Sequence, residues 1–167
     1  MRIVDLPLLW TVALDVLAWL GIHMGLSYVM TQLPVHRFDP ENWMYRKTKW
    51  EREGRFYETL FWVKTWKALL PEGAALFKGG FRKRTLKGKD REYFRNFVQE
   101  TCRAEYTHWL TLIVSPLFFL WNPFWVGVGM VGYGVAVNLP CIIAQRYNRI
   151  RLKSVLMKMS KPDEKSA

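Results

Sequence analysis

The sequence is short of cysteine: Cys102 and Cys141 are the only two in 167 residues, and they lie 39 positions apart. A disulfide scaffold is thereby excluded, and so is a zinc knuckle of paired cysteines. It holds three histidines and no Walker loop, GxGxxG or GxSxG string. The common signatures of nucleoside triphosphates, dinucleotides and hydrolase nucleophiles are therefore missing. No internal repeat and no low-complexity tract is present. Acidic residues are scarce beside basic ones, 14 against 25, for a net charge of +11. That balance suits nucleic acid or an anionic membrane surface. Aromatic residues make up 16% of the chain and hydrophobic ones 50%, which excludes a disordered polymer. The length suits one domain.

Two long apolar runs decide between the partners. Pro7 to Leu33 carries only Asp15 and His23 as charged-type side chains. About 20 apolar residues cross a bilayer, so this run is long enough to span with some tilt. It exceeds a signal-peptide core of about 7–15 residues, and Tyr28, Met30 and Leu33 do not form a small-residue cleavage site. A retained helix over 7–33 is expected. The second run, Trp109 to Ala144, has 36 residues without Asp, Glu, Lys, Arg or His. One straight helix of that length would measure about 54 Å, against a hydrocarbon core of about 30 Å. Asn122-Pro123 in its middle is a turn signal. The reading is a hairpin with arms over 103–121 and 124–144, which puts Glu105 and His108 at the membrane boundary. Gly132 and Ala136, four apart, predict close helix approach in the second arm.

Residues 34–108 carry 17 Lys/Arg against 10 Asp/Glu, and 145–167 carry 7 against 2. Basic loops stay in the cytoplasm. The expectation is an all-α, multi-pass protein of the cell membrane with about three spans, its active face cytoplasmic, and one membrane domain over 1–167. A shallow re-entrant hairpin would keep the same sidedness. Region 34–102 is expected to lie at the cytoplasmic interface and 145–167 to be a basic tail. Eight aromatics between Trp43 and Trp66, interleaved with Lys and Arg, favour the headgroup layer. Arg55 to Leu70 reads as one interfacial helix ended by Leu70-Pro71-Glu72-Gly73, with Lys64 and Lys67 able to snorkel. Loops are expected at Gly79-Gly80 and Gly88, around Arg82-Lys83-Arg84. With Lys78, Lys87, Lys89 and Arg91, that run suits anionic lipid headgroups rather than nucleic acid, because it flanks apolar spans. A helix from about Lys89 should bury Phe94, Phe97 and Val98.

The sharpest polar constellation is Glu100 to Trp109, ETCRAEYTHW. On a helix, Glu100 neighbours Arg103, and Glu105 neighbours His108. A carboxylate beside an imidazole can fix its tautomer and make it a general base. The plainer alternative is an ion pair ending a helix plus an interfacial histidine. Glu-x-x-His also occurs in di-metal bundles, but those need a second copy, so no metal is expected. The second constellation is NLPCIIAQRYNRIRL over 138–152. Arg146, Arg149 and Lys153 share a helix face that suits donor phosphates, or a simple positive-inside anchor. Amides such as Asn138 and Gln145 near a span call for partners. Asp15 and His23, two helical turns apart, are either buried polar groups of a bundle or part of a site. Cys102 and Cys141 read as small apolar fillers rather than nucleophiles.

These two strings, with Trp50-Glu51, Gly54-Arg55-Phe56 and Trp66-Lys67 upstream, resemble the glycosyl-4,4'-diaponeurosporenoate acyltransferase family, in order over about Trp43 to Leu152. The resemblance implies a small bacterial membrane enzyme that moves a fatty acyl chain from a donor such as acyl-coenzyme A to a sugar hydroxyl of a glycosylated carotenoid or other glycolipid. It implies no bound cofactor; the partners are membrane lipids, the acyl donor and an amphiphilic acceptor. On chemical grounds His108 is assigned as base, with Glu105 or Glu100 orienting it. Arg103, Arg146 and Arg149 are assigned to the donor or the developing oxyanion. Trp66, Asn138, Gln145, Tyr147 and Asn148 complete the expected substrate-binding set. Other classes that use small helical bundles are a lipid methyltransferase, an isoprenoid reductase and a non-catalytic pathway partner.

Overall fold

Apolar length comes first in this chain and dictates the frame. In the computed structural model, which describes Val4 and residues 6–70 and 90–160, the described residues form helices and turns with no strand. Helix α1 covers Leu8–Gln32. Two short helices follow, α2 over Arg55–Phe61 and α3 over Val63–Trp66. Helix α4 covers Arg91–Val114 and α5 covers Phe124–Met159. The segments at Pro71-Glu72-Gly73, Gly79-Gly80, Arg82-Lys83-Arg84 and Gly88 lie outside the described residues.

Among the described residues, helices α1 and α5 are the two that are long and apolar enough to cross a membrane. Both show water-averse side chains outward: Leu8, Leu9, Trp10 and Leu17 on α1, and Phe124, Trp125 and Val135 on α5 are exposed. Hydrocarbon rather than water is the medium that suits such faces.

The second apolar run is a hairpin in part. Helix α4 starts at Arg91, where the Asp90 carboxylate accepts from the Tyr93 amide at 2.6 Å. It buries Phe94, Phe97 and Val98 against Leu152 of α5. Its α-helical course ends at Val114 rather than near Trp121. Residues Ser115–Leu120 tighten to a 3-10 turn with Pro116 near its start, where the ring removes an amide donor. The chain reverses at Asn122-Pro123, the expected place. The returning helix does not stop at Ala144 but runs on to Met159, so the basic segment after 144 continues α5 as far as that residue.

Close approach in the hairpin falls on different glycines from the expected pair. Gly132 and Ala136 are exposed, and a Cβ on Gly132 would meet nothing within 4 Å. Gly134 and Gly127 make the contacts. A Cβ on Gly134 would lie 2.8 Å from the Trp19 ring, and one on Gly127 would lie 2.4 Å from Phe119. Trp19 is wedged there, stacked on Phe118 at 4.7 Å and edge-on to Tyr133 at 5.2 Å. One turn earlier, buried Asp15 accepts from Trp121 Nε1 at 2.8 Å and Asn122 Nδ2 at 2.7 Å, tying α1 to the hairpin bend.

The expected single helix over Arg55 to Leu70 is broken at Trp62, whose φ of 45° is left-handed. Tyr57 and Val63 supply the reason. Six residues apart, they would stand about 120° apart around a straight helix. The break turns both inward onto Ile143, Tyr147 and Ile150 of α5. Trp66 packs on the same cluster and donates to the Phe61 carbonyl at 2.6 Å, which closes the break. Just upstream, Arg52, Glu53 and Gly54 are successively left-handed. Gly54 has a further need for a missing side chain, because the Tyr147 ring is 3.3 Å from where its Cβ would be.

Candidate active site

Four charges, three of them buried and Arg146 half-buried, sit where the 44–57 connector, α4 and α5 meet. Glu105 of α4 is 1% exposed and Glu51 of the connector 0%. Glu105 is ion-paired to Arg149 through Oε2; its Oε1 accepts from Arg146 Nη1 at 3.3 Å and Trp109 Nε1 at 3.4 Å. Glu51 accepts from Arg146 Nε at 2.6 Å, Tyr57 OH at 2.6 Å, and the Thr48 amide and hydroxyl at 2.6 and 2.8 Å. The arginines also bind the connector's backbone. Arg146 donates to the Met44 and Arg46 carbonyls, and Arg149 to the Tyr45 carbonyl at 3.1 Å while lying over the Tyr45 ring. Removing two such ions from water costs several kcal/mol each, which good pairing offsets. The network therefore closes one shape, with the connector clamped across the helix pair.

The pairing shows in the acid–base behaviour of the connector. Burial alone would raise the Glu51 carboxyl. Hydrogen bonds from Arg146, Thr48 and Tyr57 outweigh it and hold the group below the ordinary carboxylate range. Burial, with Glu105 and Cys102 nearby, pushes the Tyr45 phenol up to about 12. Tyr57 is raised by burial and by its bond to Glu51.

His108 stands one turn further along α4 from this network. Its Nδ1 lies 2.8 Å from Asn138 Oδ1. The Asn138 amide donates to the Gly134 carbonyl at 2.9 Å, and that carbonyl can only accept, so the atom facing the histidine is the amide oxygen. Nδ1 is therefore the protonated nitrogen of the neutral ring, and Nε2 carries the lone pair a general base needs. The orienting hydrogen bond to Nδ1 comes from Asn138; the hydrogen bonds of Glu105 go to Arg146, Arg149 and Trp109. Pro140, two residues on, has no amide to give the Ala136 carbonyl, which loosens α5 at this level.

The other expected residues fall into two groups. Glu100 pairs with Arg103 at 2.7 Å, and Arg103 also donates to the Thr31 and Leu33 carbonyls, so this pair staples the end of α1 to α4. Tyr147 donates to Glu58 at 2.8 Å, and Asn148 Oδ1 accepts from Lys67 Nζ at 2.8 Å. Lys67, which was expected to snorkel, instead lies 4.7 Å from the centre of the Tyr147 ring, and burial lowers its pKa. Trp66 belongs to the packing cluster already described. Gln145 Oε1 is buried and has no hydrogen-bond partner among the described residues. Glu51, Tyr57 and Thr48 were not among the expected site residues. Only Glu51 had a signal in the sequence, since it lies in the string Trp50-Glu51 to Phe56; Thr48 and Tyr57 flank that string. Among the described residues, no three His, Cys, Asp or Glu side chains converge as a metal site.

A family model described as glycosyl-4,4'-diaponeurosporenoate acyltransferase matches residues 41–158, more than half of the chain. The chain is 30% identical over 148 residues to the glycosyl-4,4'-diaponeurosporenoate acyltransferase of Staphylococcus haemolyticus (strain JCSC1435), covering 89% of this chain and 86% of that one. It is 28% identical over 147 residues to the protein of the same name from Staphylococcus aureus (strain bovine RF122 / ET3-1), covering 88% of each. No solved structure matches it.

Proposed function

The chain belongs to the glycosyl-4,4'-diaponeurosporenoate acyltransferase family, and we propose that it moves a fatty acyl group from an activated donor, an acyl-coenzyme A, to a sugar hydroxyl of a glycosylated carotenoid or related glycolipid. The observation that carries this is the family match over 41–158, which contains every residue of the buried charge network and the His108–Asn138 pair. In this reading the sugar hydroxyl oxygen attacks the acyl carbonyl carbon while His108 Nε2 takes its proton. The tetrahedral intermediate collapses, the donor's sulfur leaves, and the same proton passes to it. Asn138 holds the ring in the working tautomer. Glu51, Glu105, Arg146 and Arg149 shape the wall against which the substrates lie, and Arg103 with Glu100 fixes α1 beside them.

Both substrates are amphiphiles, and a site between apolar helices and a charged connector suits them: tails in lipid, reacting groups at headgroup depth. The proposed placement is a multi-pass protein of the cell membrane, with α1, the α4 hairpin arm and α5 as spans and the connector on the cytoplasmic side. The excess of basic residues over 34–108 and 145–167 supports it. So do Trp43, Trp62 and Leu69, which stand exposed in and around the connector and the short helices α2 and α3, where an interface would take them. The test is incubation of purified protein with labelled acyl-coenzyme A and glycosyl diaponeurosporenoate, followed by mass analysis. An acyl ester on the sugar is expected. Label transferred to another glycolipid and not to this one would overturn the acceptor.

A further inference from the structure

Arg52, Arg55 and Arg151 line an open cleft of about 970 Å³ between the left-handed turn at 52–54 and the C-terminal half of α5. Trp50, Phe56 and Leu60 form its apolar wall. The three arginines are exposed, and among the described residues their guanidinium groups make no hydrogen bond or ion pair. Their state contrasts with that of Arg103, Arg146 and Arg149, which are ion-paired to Glu100, Glu51 and Glu105 and bonded to backbone carbonyls; among the described residues only Nη1 of Arg149, itself buried, is left without a partner there. The cleft's own acid, Glu53, is bonded to Lys47 and to Ser154 at 3.2 Å, and it meets Arg151 only through its charge, without a hydrogen bond. Nearby Glu58 is held by Lys64 and Tyr147. The cleft thus offers unspent guanidinium forks beside aromatic faces, the combination that recognises phosphate next to a flat ring.

Distance selects the ligand class. Arg151 and Asn138 both lie on α5, about 20 Å apart along its axis at about 1.5 Å per residue. A phospholipid carries its acyl esters beside its phosphate and cannot bridge that gap. A coenzyme-type thioester separates its phosphates from its acyl carbonyl by a long flexible arm. We propose that this cleft holds the phosphates and base of a coenzyme-type acyl thioester, with Arg52, Arg55 and Arg151 on the phosphates, Trp50 and Phe56 against the base, and the arm reaching toward His108. The inference rests on the chain acting as an acyltransferase, and it moves recognition of the donor's phosphates away from the buried arginines.

The probe is coenzyme A without an acyl chain, titrated calorimetrically into the purified full-length protein in detergent. Wild type should bind it, and phosphate-free pantetheine should not compete. Arg52→Gln/Arg55→Gln should weaken binding by at least about tenfold, because each lost charge-assisted hydrogen bond is worth about that factor. Arg91→Gln/Arg95→Gln removes the same charge from the second cleft, lined also by Lys153 and Leu156, and should change binding less than twofold. Equal weakening in both double variants, or no binding to wild type, overturns the site. A third result would do so too: anionic phospholipid vesicles bound through Arg52 and Arg55 while coenzyme A is not. Acyl transfer in the same preparation separates the two readings. Binding as expected without glycolipid acylation leaves the cleft standing and removes the acceptor. Transfer from another donor without coenzyme A binding does the reverse.

Discussion

At the scale of single residues, His108 and Asn138 are the pair on which the proposed chemistry turns. A positioned general base contributes typically about 10²–10⁴-fold. His108→Gln keeps hydrogen bonding without basicity, so turnover should drop within that range while detergent extraction and thermal unfolding stay normal. Near-normal turnover at saturating substrates would make His108 structural. Asn138→Leu should lower kcat with little change in KM for either substrate, since the ring loses its orientation and not a substrate contact. Glu51 answers to stability instead. Its Gln variant leaves Arg146, which is 17% exposed at the side chain, without its closest counter-charge. Breaking a buried pair in this way costs about 3–5 kcal/mol, to be read as a lower unfolding temperature. The folded Glu51 carboxyl is depressed, so its contribution is complete above the unfolded value of about 4.3. It is lost as pH falls through the lower folded value. Wild type should therefore lose stability on acidification below about pH 4, and Glu51→Gln should lose less over that window. Identical acid profiles for the two proteins would remove Glu51 from the account.

Among the elements, the wedge of Trp19 against Gly134 makes the sharpest case. Gly134→Ala forces a Cβ to 2.8 Å from a ring already held by Phe118 and Tyr133. Overpacking of that kind costs about 1–3 kcal/mol. Gly132→Ala opens onto empty space, so it should leave the unfolding temperature unchanged or raise it slightly. If the two variants behave alike in a thermal unfolding series, α1 does not dock on α5 as described. The period of small residues at 132 and 136 was visible in the sequence. Which of the neighbouring glycines meets a partner depends on the rotation of α5 about its axis, and that is decided by Trp19 and the Asp15 anchor on another helix. The break at Trp62 has the same origin. Local pattern over Arg55 to Leu70 favours one helix, and only the demand that Tyr57 and Val63 face the same wall breaks it.

For the whole molecule, the test is of sidedness. Trp125 is 79% exposed at the hairpin end of α5, and Arg46 is exposed on the connector near the opposite end of the helix pair. In the proposed topology a cysteine at 125 reacts with an impermeant maleimide in intact cells, in a background with Cys102 and Cys141 replaced by Ala. A cysteine at 46 reacts only after permeabilisation. The reverse pattern would put the connector outside the cell, away from a cytoplasmic acyl donor.

The sequence by itself determined the all-helical class, the two runs long enough for a bilayer, the reversal at Asn122-Pro123 and the family. Each rests on hydropathy, proline chemistry or a string of adjacent residues, and those are properties of the chain before it folds. The polar strings at 100–109 and 138–152 were legible as clusters of chemistry for the same reason. Their pairing was not. Helical spacing puts Glu105 beside His108, yet Glu105 bonds to Arg146 and Arg149 and His108 to Asn138, across gaps of 30 to 44 residues. Glu51 reaches Arg146 over a longer gap still. A buried charge takes the best counter-charge the packed helices bring to it, whatever its distance along the chain. That choice, and with it which arginines are left open in the cleft, belonged to the tertiary structure alone.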